Sequence, residues 1–336
     1  MGSKVFITGI AGFLGSHIAD AFIEDGYEVC GVDNLCGGYR TNVPVEADFY
    51  EVDCTDLDGL KDAMEGADIV YHAAARAHEG LSVFSPAQIN ESIYQATTCT
   101  LSAAADCEVD RFVYCSSMSR YGAQETPFTE DMEPKPQDPY AISKVASEEM
   151  TRLMAEIHGF EHVIAVPHNI IGPRQRFDDP FRNVASIFIN RMLQGKQPII
   201  YGTGEQKRCF TFVQDGVRPL KKLAHQDNVV GEIINIGPDD EFITINTLAK
   251  VIADILEFDL DPIYMSDRPQ EVKLANCSAD KARRLLGYET EYTLRDGLEE
   301  MTDYIKEHGP REFDYEHLTL EIVNDQTPET WTNQLI

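Results

Sequence analysis

No apolar run in the 336 residues approaches the length needed to cross a bilayer, so no membrane span is expected. None of the eight cysteines, at positions 30, 36, 54, 99, 107, 115, 209 and 277, forms a Cys-x-x-Cys pair. That removes the commonest zinc and redox spacings, and no metal is expected. Several of these thiols fall in apparent strands, where a free thiol packs as a small apolar group; reduced cysteines point to the cytoplasm. Basic residues are scarce: 28 Lys and Arg stand against 57 Asp and Glu, a net charge of −29. The excess is spread along the chain without an acidic tail block. It argues against nucleic acid or an anionic membrane as a partner, and such a surface stays soluble at high salt. No internal repeat or low-complexity block occurs. The N-terminus enters a strand almost at once, so no signal peptide is expected.

Hydrophobic residues make up 43% of the chain, and its length suits one large α/β unit or two lobes. The strongest local pattern is Ile7-Thr-Gly-Ile-Ala-Gly-Phe-Leu-Gly-Ser-His17. Val5, Phe6 and Ile7 read as a short buried strand. Gly9, Gly12 and Gly15 follow, and then Phe13, Leu14, Ile18, Ala19, Phe22 and Ile23 recur at helical spacing. Strand, tight turn and helix in this order make a phosphate-binding turn. Glycine lets the backbone approach a pyrophosphate, and the helix N-terminus supplies free N–H groups and a positive dipole end. A second strand from Glu28 to Val32 leads into Asp33, whose carboxylate can accept hydrogen bonds from both hydroxyls of an adenosine ribose. Three glycines recur by chance; their place between a strand and a helix, with an acid closing the next strand, gives the pattern its weight.

Further strands at 49–52, 68–72, 111–116 and 162–166 alternate with helices at about 56–65, 87–106 and 140–158. Alternation of this kind predicts an α/β chain with a doubly wound parallel (Rossmann) sheet covered on both faces. After a loop rich in Pro, Arg and Asp at 173–180 come a helix at 183–193, a late strand at 232–236 that could rejoin the sheet, and helices at about 246–257, 279–286 and 295–308. Residues 1–170 plus about 231–237 are thus expected to form the dinucleotide-binding domain. Residues 171–230 and 238–310 form a smaller, discontinuous α/β substrate lobe over the C-terminal ends of the strands, where open sheets bind ligands. The tail, 311–336, carries alternating Leu318, Leu320 and Ile322 and then Trp331, and suggests no function of its own.

Tyr140 and Lys144 stand four apart at a helix start, after Asp138-Pro139, and so share a face. A free tyrosine has a pKa of about 10. A lysine ammonium beside it, and a cationic nicotinamide ring, would favour the phenolate and make Tyr140 a general base for a sugar hydroxyl. The Gly-x-x-Gly-x-x-Gly spacing, read with Tyr140-Ala-Ile-Ser-Lys144, resembles the extended short-chain dehydrogenase/reductase family, and within it the nucleotide-sugar epimerases and dehydratases. The resemblance runs from Lys4 to about Tyr304.

It implies a cofactor, NAD, held by Gly9, Gly12, Phe13, Leu14 and Gly15 at the pyrophosphate and by Asp33, Asn34 and Leu35 at the ribose; no arginine follows Asp33 directly, which favours NAD over NADP. Asp53 and Cys54 would border the adenine, and Ala73, Ala74, Ala75 and Pro167 would complete the cofactor wall. Ser117, in Ser117-Met-Ser-Arg-Tyr-Gly122, matches the family's Ser/Thr-x-x-x-Tyr-Gly and would join Tyr140 and Lys144 as the catalytic set. Met118, Asn169, Asn183, Val184, Tyr201, Arg208 and Arg268 would contact a nucleotide sugar, most readily a UDP-sugar. Ala275, or Cys277 in the other alignment, is small where the family controls the C2 side of the sugar, so a 2-acetamido group is expected to fit. The family's dimer helices correspond to about 87–106 and 140–158, with Ala96, Ala103, Ala104 and Ala105 small enough for close packing; a homodimer is expected.

Some positions depart from the family. Arg120 replaces a small apolar residue before Tyr-Gly. Arg76 follows the alanine run and could face a carboxylate on the sugar or merely a surface acid. The asparagine expected after Pro86 has no match, Ser92 or Ile93 falling there. His72 reads equally as packed or functional. Met118 and Ser119 stand where sugar dehydratases carry Asp-Glu. The leading expectation is an NAD-dependent 4-epimerase acting by transient oxidation at sugar C4. A dehydratase or decarboxylase of the same family is the second reading, and a non-catalytic NAD-sensing regulator a remote third.

Overall fold

Val5, Phe6 and Ile7 are fully buried at the centre of β1 (Lys4–Thr8), one strand of a seven-stranded parallel sheet. The computed structural model describes residues 3–269, 271–316 and 318–336. On one side β1 pairs with β2 (Glu28–Asp33), and β2 with β3 (Asp48–Glu51). On the other side β4 (Ile69–His72), β5 (Arg111–Cys115), β6 (Glu161–Pro167) and the strand Ile233–Ile236 follow in that order. The chain therefore reverses direction across the sheet between β1 and β4, the switch point at which open α/β sheets leave a crevice for ligands.

The connecting helices are fixed by local chemistry. After α1 (Phe13–Glu24), Asp56 caps α2 (Leu57–Met64) by accepting from the Gly59 N–H at 3.1 Å. The expected single helix at 87–106 is three pieces: α3 (Glu79–Ser82) lies before it, α4 (Pro86–Asn90) leads into a π-helical turn at Glu91–Gln95, and α5 (Ala96–Asp106) completes it. Thr97, Thr98, Thr100 and Ser102 bond back to carbonyls four residues earlier, a pattern that bends helices. In α6 (Pro139–His158), Asp138 accepts from the Ala141 N–H at 2.9 Å, Pro139 occupies the first turn, and Gly159 ends the helix at φ +83°.

The helix Val213–Lys222 falls within the stretch 171–230 expected to belong to the second lobe, at a place where no element is expected, and it packs instead with the sheet. Val213, Val217 and Leu220 recur at helical spacing and share a core with Val5, Ile7 and Phe22. Its sequence masks this, because Gly216 and Pro219 inside it are poor helix formers. Ala282 and Leu286, on the helix Asp280–Leu286, join the same core. The second lobe has its own core, in which Phe188, Ile189, Leu248, Ile252, Leu298 and Met301 meet from three helices. Among the described residues no helix is long and apolar enough to cross a membrane.

The tail packs on its own chain. Trp331, 4% exposed, meets Phe84 and Phe181 edge to face, and Leu318 and Ile336 join the same cluster with Leu81 and Ile199. The Glu321 carboxylate accepts from the Ala87 and Gln88 N–H groups at the start of α4, at 2.9 and 2.8 Å, while Arg191 of the second lobe donates to the Leu335 carbonyl at 3.0 Å. The tail is thus a strap between the two halves. Trp331→Ala is expected to cost about 3–5 kcal/mol, the usual range for deleting a buried aromatic ring, read as a lower urea midpoint; a loss below about 1 kcal/mol would show that the strap carries no packing energy.

Candidate active site

Beyond the C-terminal ends of β1, β4, β5 and β6 lies a cavity of about 570 Å³. One wall is the glycine turn. Gly9 has φ +74°, and a Cβ there would sit 2.9 Å from the Ala74 Cα; a Cβ on Gly15 would sit 2.2 Å from the Gly9 carbonyl. Only glycine allows β1 and β4 to end this close and still present backbone N–H groups to a phosphate. Asp33 ends β2 beside this turn. Its carboxylate accepts from the Ala11 N–H at 3.1 Å and the Leu35 N–H at 2.7 Å, which leaves lone pairs for two further donors. Burial pushes its pKa up, against those hydrogen bonds. Asn34 donates to Asp53 at 2.5 Å, joining the ends of β2 and β3. Asp53, Cys54, Ala73, Ala74, Ala75 and Pro167 continue the wall. This donor and acceptor set, closed to bulk by glycine and alanine, fits an adenine dinucleotide with a free ribose diol, and the Asp33 carboxylate opposes a 2′-phosphate.

Ser117, Tyr140 and Lys144 stand at the middle of the cavity. The Ser117 hydroxyl accepts from the Ser119 N–H at 3.2 Å and lies 3.0 Å from the Ser119 Oγ. Burial raises the Tyr140 pKa; the interaction with Ser117 pulls it back, while the Glu79 and Asp138 carboxylates push it further up. Burial lowers Lys144 to about 8. Its ammonium donates to the Cys115 carbonyl at 2.8 Å and lies 5.9 Å from the Tyr140 ring centroid. Burial and the nearby carboxylates thus favour the phenol at Tyr140, and the expected pull towards phenolate rests on Lys144 together with the cationic nicotinamide ring.

The far wall comes from the second lobe and from Asn169, just after β6. Asn169, Asn183, Val184, Tyr201, Arg208 and Arg268 all line it. Asn169 sits in the left-handed region at φ +43° and donates to the Cys209 carbonyl at 2.8 Å. Asn183 caps the helix Val184–Leu193 by accepting from the Ala185 N–H at 2.9 Å. The Arg268 guanidinium lies over the Tyr201 ring, 4.6 Å from its centroid, and pairs with Glu271 at 3.2 Å. Arg268 Nε and Glu271 Oε2 are buried without a hydrogen-bond partner, polar atoms available at this end of the cavity.

Three expected contacts fall elsewhere. Leu35, at φ +60°, does not line the cavity; its backbone N–H serves Asp33 instead. Met118 is withdrawn behind Asn169, whose amide reaches its sulfur at 3.6 Å. Ala275 is buried in the core shared with Phe128, Cys277 is fully buried there, and neither lines the cavity. Neither can gate the sugar. Arg76 donates to Gln88 at 3.3 Å and acts on Asp53, so it faces the adenosine end. His72 is a packed residue: its ring nitrogens meet Thr8 at 2.8 Å and Thr97 at 3.0 Å, and burial lowers it to about 3. Sequence reasoning missed Glu79, Glu271, Arg182 and Ile336, all of which line the cavity. None lies in a motif, and each is brought there by tertiary packing.

A sheet with a glycine phosphate turn, an acid at the end of β2 and a Ser/Tyr/Lys set over the switch point defines an NAD-dependent enzyme of the extended short-chain dehydrogenase/reductase class. The chain belongs to the NAD dependent epimerase/dehydratase family, whose model matches residues 5–237. It is similar to a UDP-glucuronate 4-epimerase of Thermodesulfobacterium geofontis, 30% identical over 320 residues that cover 90% of this chain and 96% of that protein. It also resembles the structure of Thermotoga maritima UDP-glucose 4-epimerase with UDP-glucose, at 31% identity and a TM-score of 0.86 over 91% of this chain and 99% of that one. The UDP-N-acetylglucosamine 4-epimerase of Methanobrevibacter ruminantium, in complex with UDP-N-acetylmuramic acid, matches at 29% identity and a TM-score of 0.85 over 92% and 100%.

Arg120 has a structural explanation. It is 2% exposed and pairs with the fully buried Glu148 of α6, which also accepts from Ser116. The pair braces the helix that carries Tyr140 against the loop that carries Ser117. Arg120→Met should cost about 3–5 kcal/mol, because it strands a buried carboxylate. The double variant with Glu148→Met should recover much of that loss in urea unfolding; equal losses in single and double variants would remove the pair from the account.

Proposed function

We propose that the protein is a nucleotide-sugar 4-epimerase acting on a UDP-hexose, UDP-N-acetylhexosamine or UDP-hexuronate. The observation that carries this reading is the order along one cavity: a dinucleotide wall, then Ser117, Tyr140 and Lys144, then Arg208 and Arg268. NAD, when bound, would supply the reversible hydride acceptor for sugar C4 that 4-epimerisation needs. Gly9, Gly12 and Gly15 would admit its pyrophosphate and Asp33 its ribose diol. Tyr140 takes the proton of the C4 hydroxyl as the hydride leaves and gives it back on return. Ser117 holds that hydroxyl against Tyr140. The positive charge on Lys144, and that of the oxidised cofactor, offset the burial that keeps Tyr140 protonated. Arg208 and Arg268 would bind the diphosphate as fixed cations, and Tyr201 would lie against the nucleotide.

Met118 and Ser119 favour epimerisation over elimination, since neither is an effective acid near neutral pH. Product and substrate are therefore expected to have equal mass; a product lighter by water or carbon dioxide would overturn the reading. Tyr140→Phe should keep NAD binding and lose about 10²–10⁴ of the turnover, and near-normal turnover would exclude Tyr140 as the base.

All eight cysteines are free, which fits a reducing compartment, and we assign the enzyme to the cytoplasm. Ala96, Ala103 and Ala104 are spent inside the subunit core, but Ile142, Leu153 and Ile157 form an exposed apolar stripe along α6. That stripe supports a homodimer through this helix. Light scattering at micromolar concentration should give about twice the 37.7 kDa chain mass, and Leu153→Glu with Ile157→Glu should give monomers.

A further inference from the structure

Glu79 is the first residue of α3 and lies deep in the molecule, yet its side chain is exposed. The exposure is to the cavity, whose wall it forms. α3 is pinned on both sides: His78 bonds Asp179 at 2.8 Å, and Ser82 donates to Asp138, the cap of α6, at 3.2 Å. Arg268 and Trp331 pack beside Gly80: a Cβ there would lie in ordinary contact, 3.4 Å from Arg268 Nη1 and 3.8 Å from the Trp331 ring. Glu79 consequently acts on Tyr140 on one side and feels Arg208 and Arg268 on the other. On the reading proposed above, the oxidised carbon meets Tyr140 and the diphosphate meets the arginines, so the hexose ring lies beside Glu79.

We propose that Glu79 is a specificity-determining residue that admits hexoses neutral at C6 and rejects hexuronates, whose carboxylate would enter beside it. This rests on the 4-epimerase reading. The cations of the cavity already face acids or carbonyls of the protein, although Arg268 Nε and Arg182 Nε have no hydrogen-bond partner. Arg208 and Arg268 must compensate a diphosphate while already facing Glu79 and Glu271. Arg76 serves Gln88 and Asp53, Arg182 lies 3.5 Å from Asp179, and Lys144 donates to Cys115. A sugar carboxylate would therefore add a like charge beside Glu79 and Glu271, and juxtaposed like charges suppress the wrong partner strongly.

The charged and titratable groups facing Glu79 are Asp138 and Tyr140 from α6, Arg208 from the strand Lys207–Arg208, and Arg268 and Glu271 from the loop that follows the strand Ile263–Met265. Burial and Asp138 raise Glu79 to about 7, so it is charged at pH 8.5 and largely neutral at pH 6. The test measures kcat/KM, and affinity, for UDP-glucose and UDP-glucuronate; Trp331, the only tryptophan, lies beside Arg268 and Gly80 and reports binding by fluorescence.

At pH 8.5 the wild type should prefer UDP-glucose by about ten- to a hundredfold in both quantities. The preference should shrink severalfold at pH 6, and Glu79→Gln should shrink it at least tenfold at pH 8.5, mainly through the uronate's KM. Equal handling of the two sugars by the wild type, or a ratio unmoved by both pH and Glu79→Gln, overturns the proposal. Should Glu79→Gln fail to fold, the wild-type ratio at the two pH values decides alone. If neither sugar is turned over but the affinity ratio holds, the epimerase reading fails while the selectivity stands; if both are turned over equally, the reverse is true.

Discussion

Everything in the site depends on one close approach, the contact of the Gly9 turn with the backbone of Ala74. No side chain fits between them. Because β1 and β4 end in contact, the first βα turn and the alanine run form a continuous smooth wall, and Thr8 at the end of β1 reaches across to His72 and to the Ala74 N–H, at 2.8 and 3.2 Å. The wall is thus held by backbone and short hydroxyl contacts. A cofactor seated there meets N–H groups and a carboxylate held by their own hydrogen bonds, so little ordering is left to be done on binding. β5 and β6 then carry Ser117 and Pro167 to the same level by simple continuation of the sheet.

α6 brings the second half of the chemistry into this frame. Its first turn is over-determined: Asp138 caps it, Pro139 pre-sets it, and Ser82 ties the cap to α3. Lys144 follows one turn later, and Glu148 one turn after that, so a single helix face carries phenol, ammonium and carboxylate in register. Glu148 anchors that face through Arg120 and Ser116 to the end of β5. The positions of Ser117 and Tyr140 are therefore coupled through a buried ion pair that never touches the cavity. Such a pair adds little net stability, and its value lies in holding one geometry.

The parts legible in the sequence are those whose chemistry is local. The glycine turn, Asp33, and Tyr140 with Lys144 each need only spacing along one strand or helix, and the sheet they sit on needs only alternating periodicity. What was not legible depends on residues distant in sequence. Arg120 reads as an anomaly until Glu148 is found 28 residues on. Arg76 looks free to meet a sugar until packing turns it to Gln88. Ala275 has the right offset from Arg268, but it is buried in the core with Phe128 and does not line the cavity. The helix Val213–Lys222 was hidden because its apolar residues are few and interrupted by Pro219, yet those few face a large core.

Charge ties the local and global levels together. A chain of net charge −29 must bind a cofactor and a nucleotide sugar that are themselves anionic. Of its 28 basic residues, Arg76, Lys144, Arg182, Arg208 and Arg268 all line the one cavity. Salt screens exposed charges beyond about 10 Å at 0.1 M, whereas charges inside a closed cavity act at contact and are screened far less. The outer acidity therefore sets solubility and slows approach at low salt, while recognition is left to a few short-range pairs. Each interior cation is matched to a nearby acid or carbonyl, with Arg268 set against Glu271 and Lys144 against Cys115. On the reading proposed above, a substrate's own charges must stand in for those pairings, so selectivity in this cavity would turn on where its carboxylates stand more than on how much room it offers.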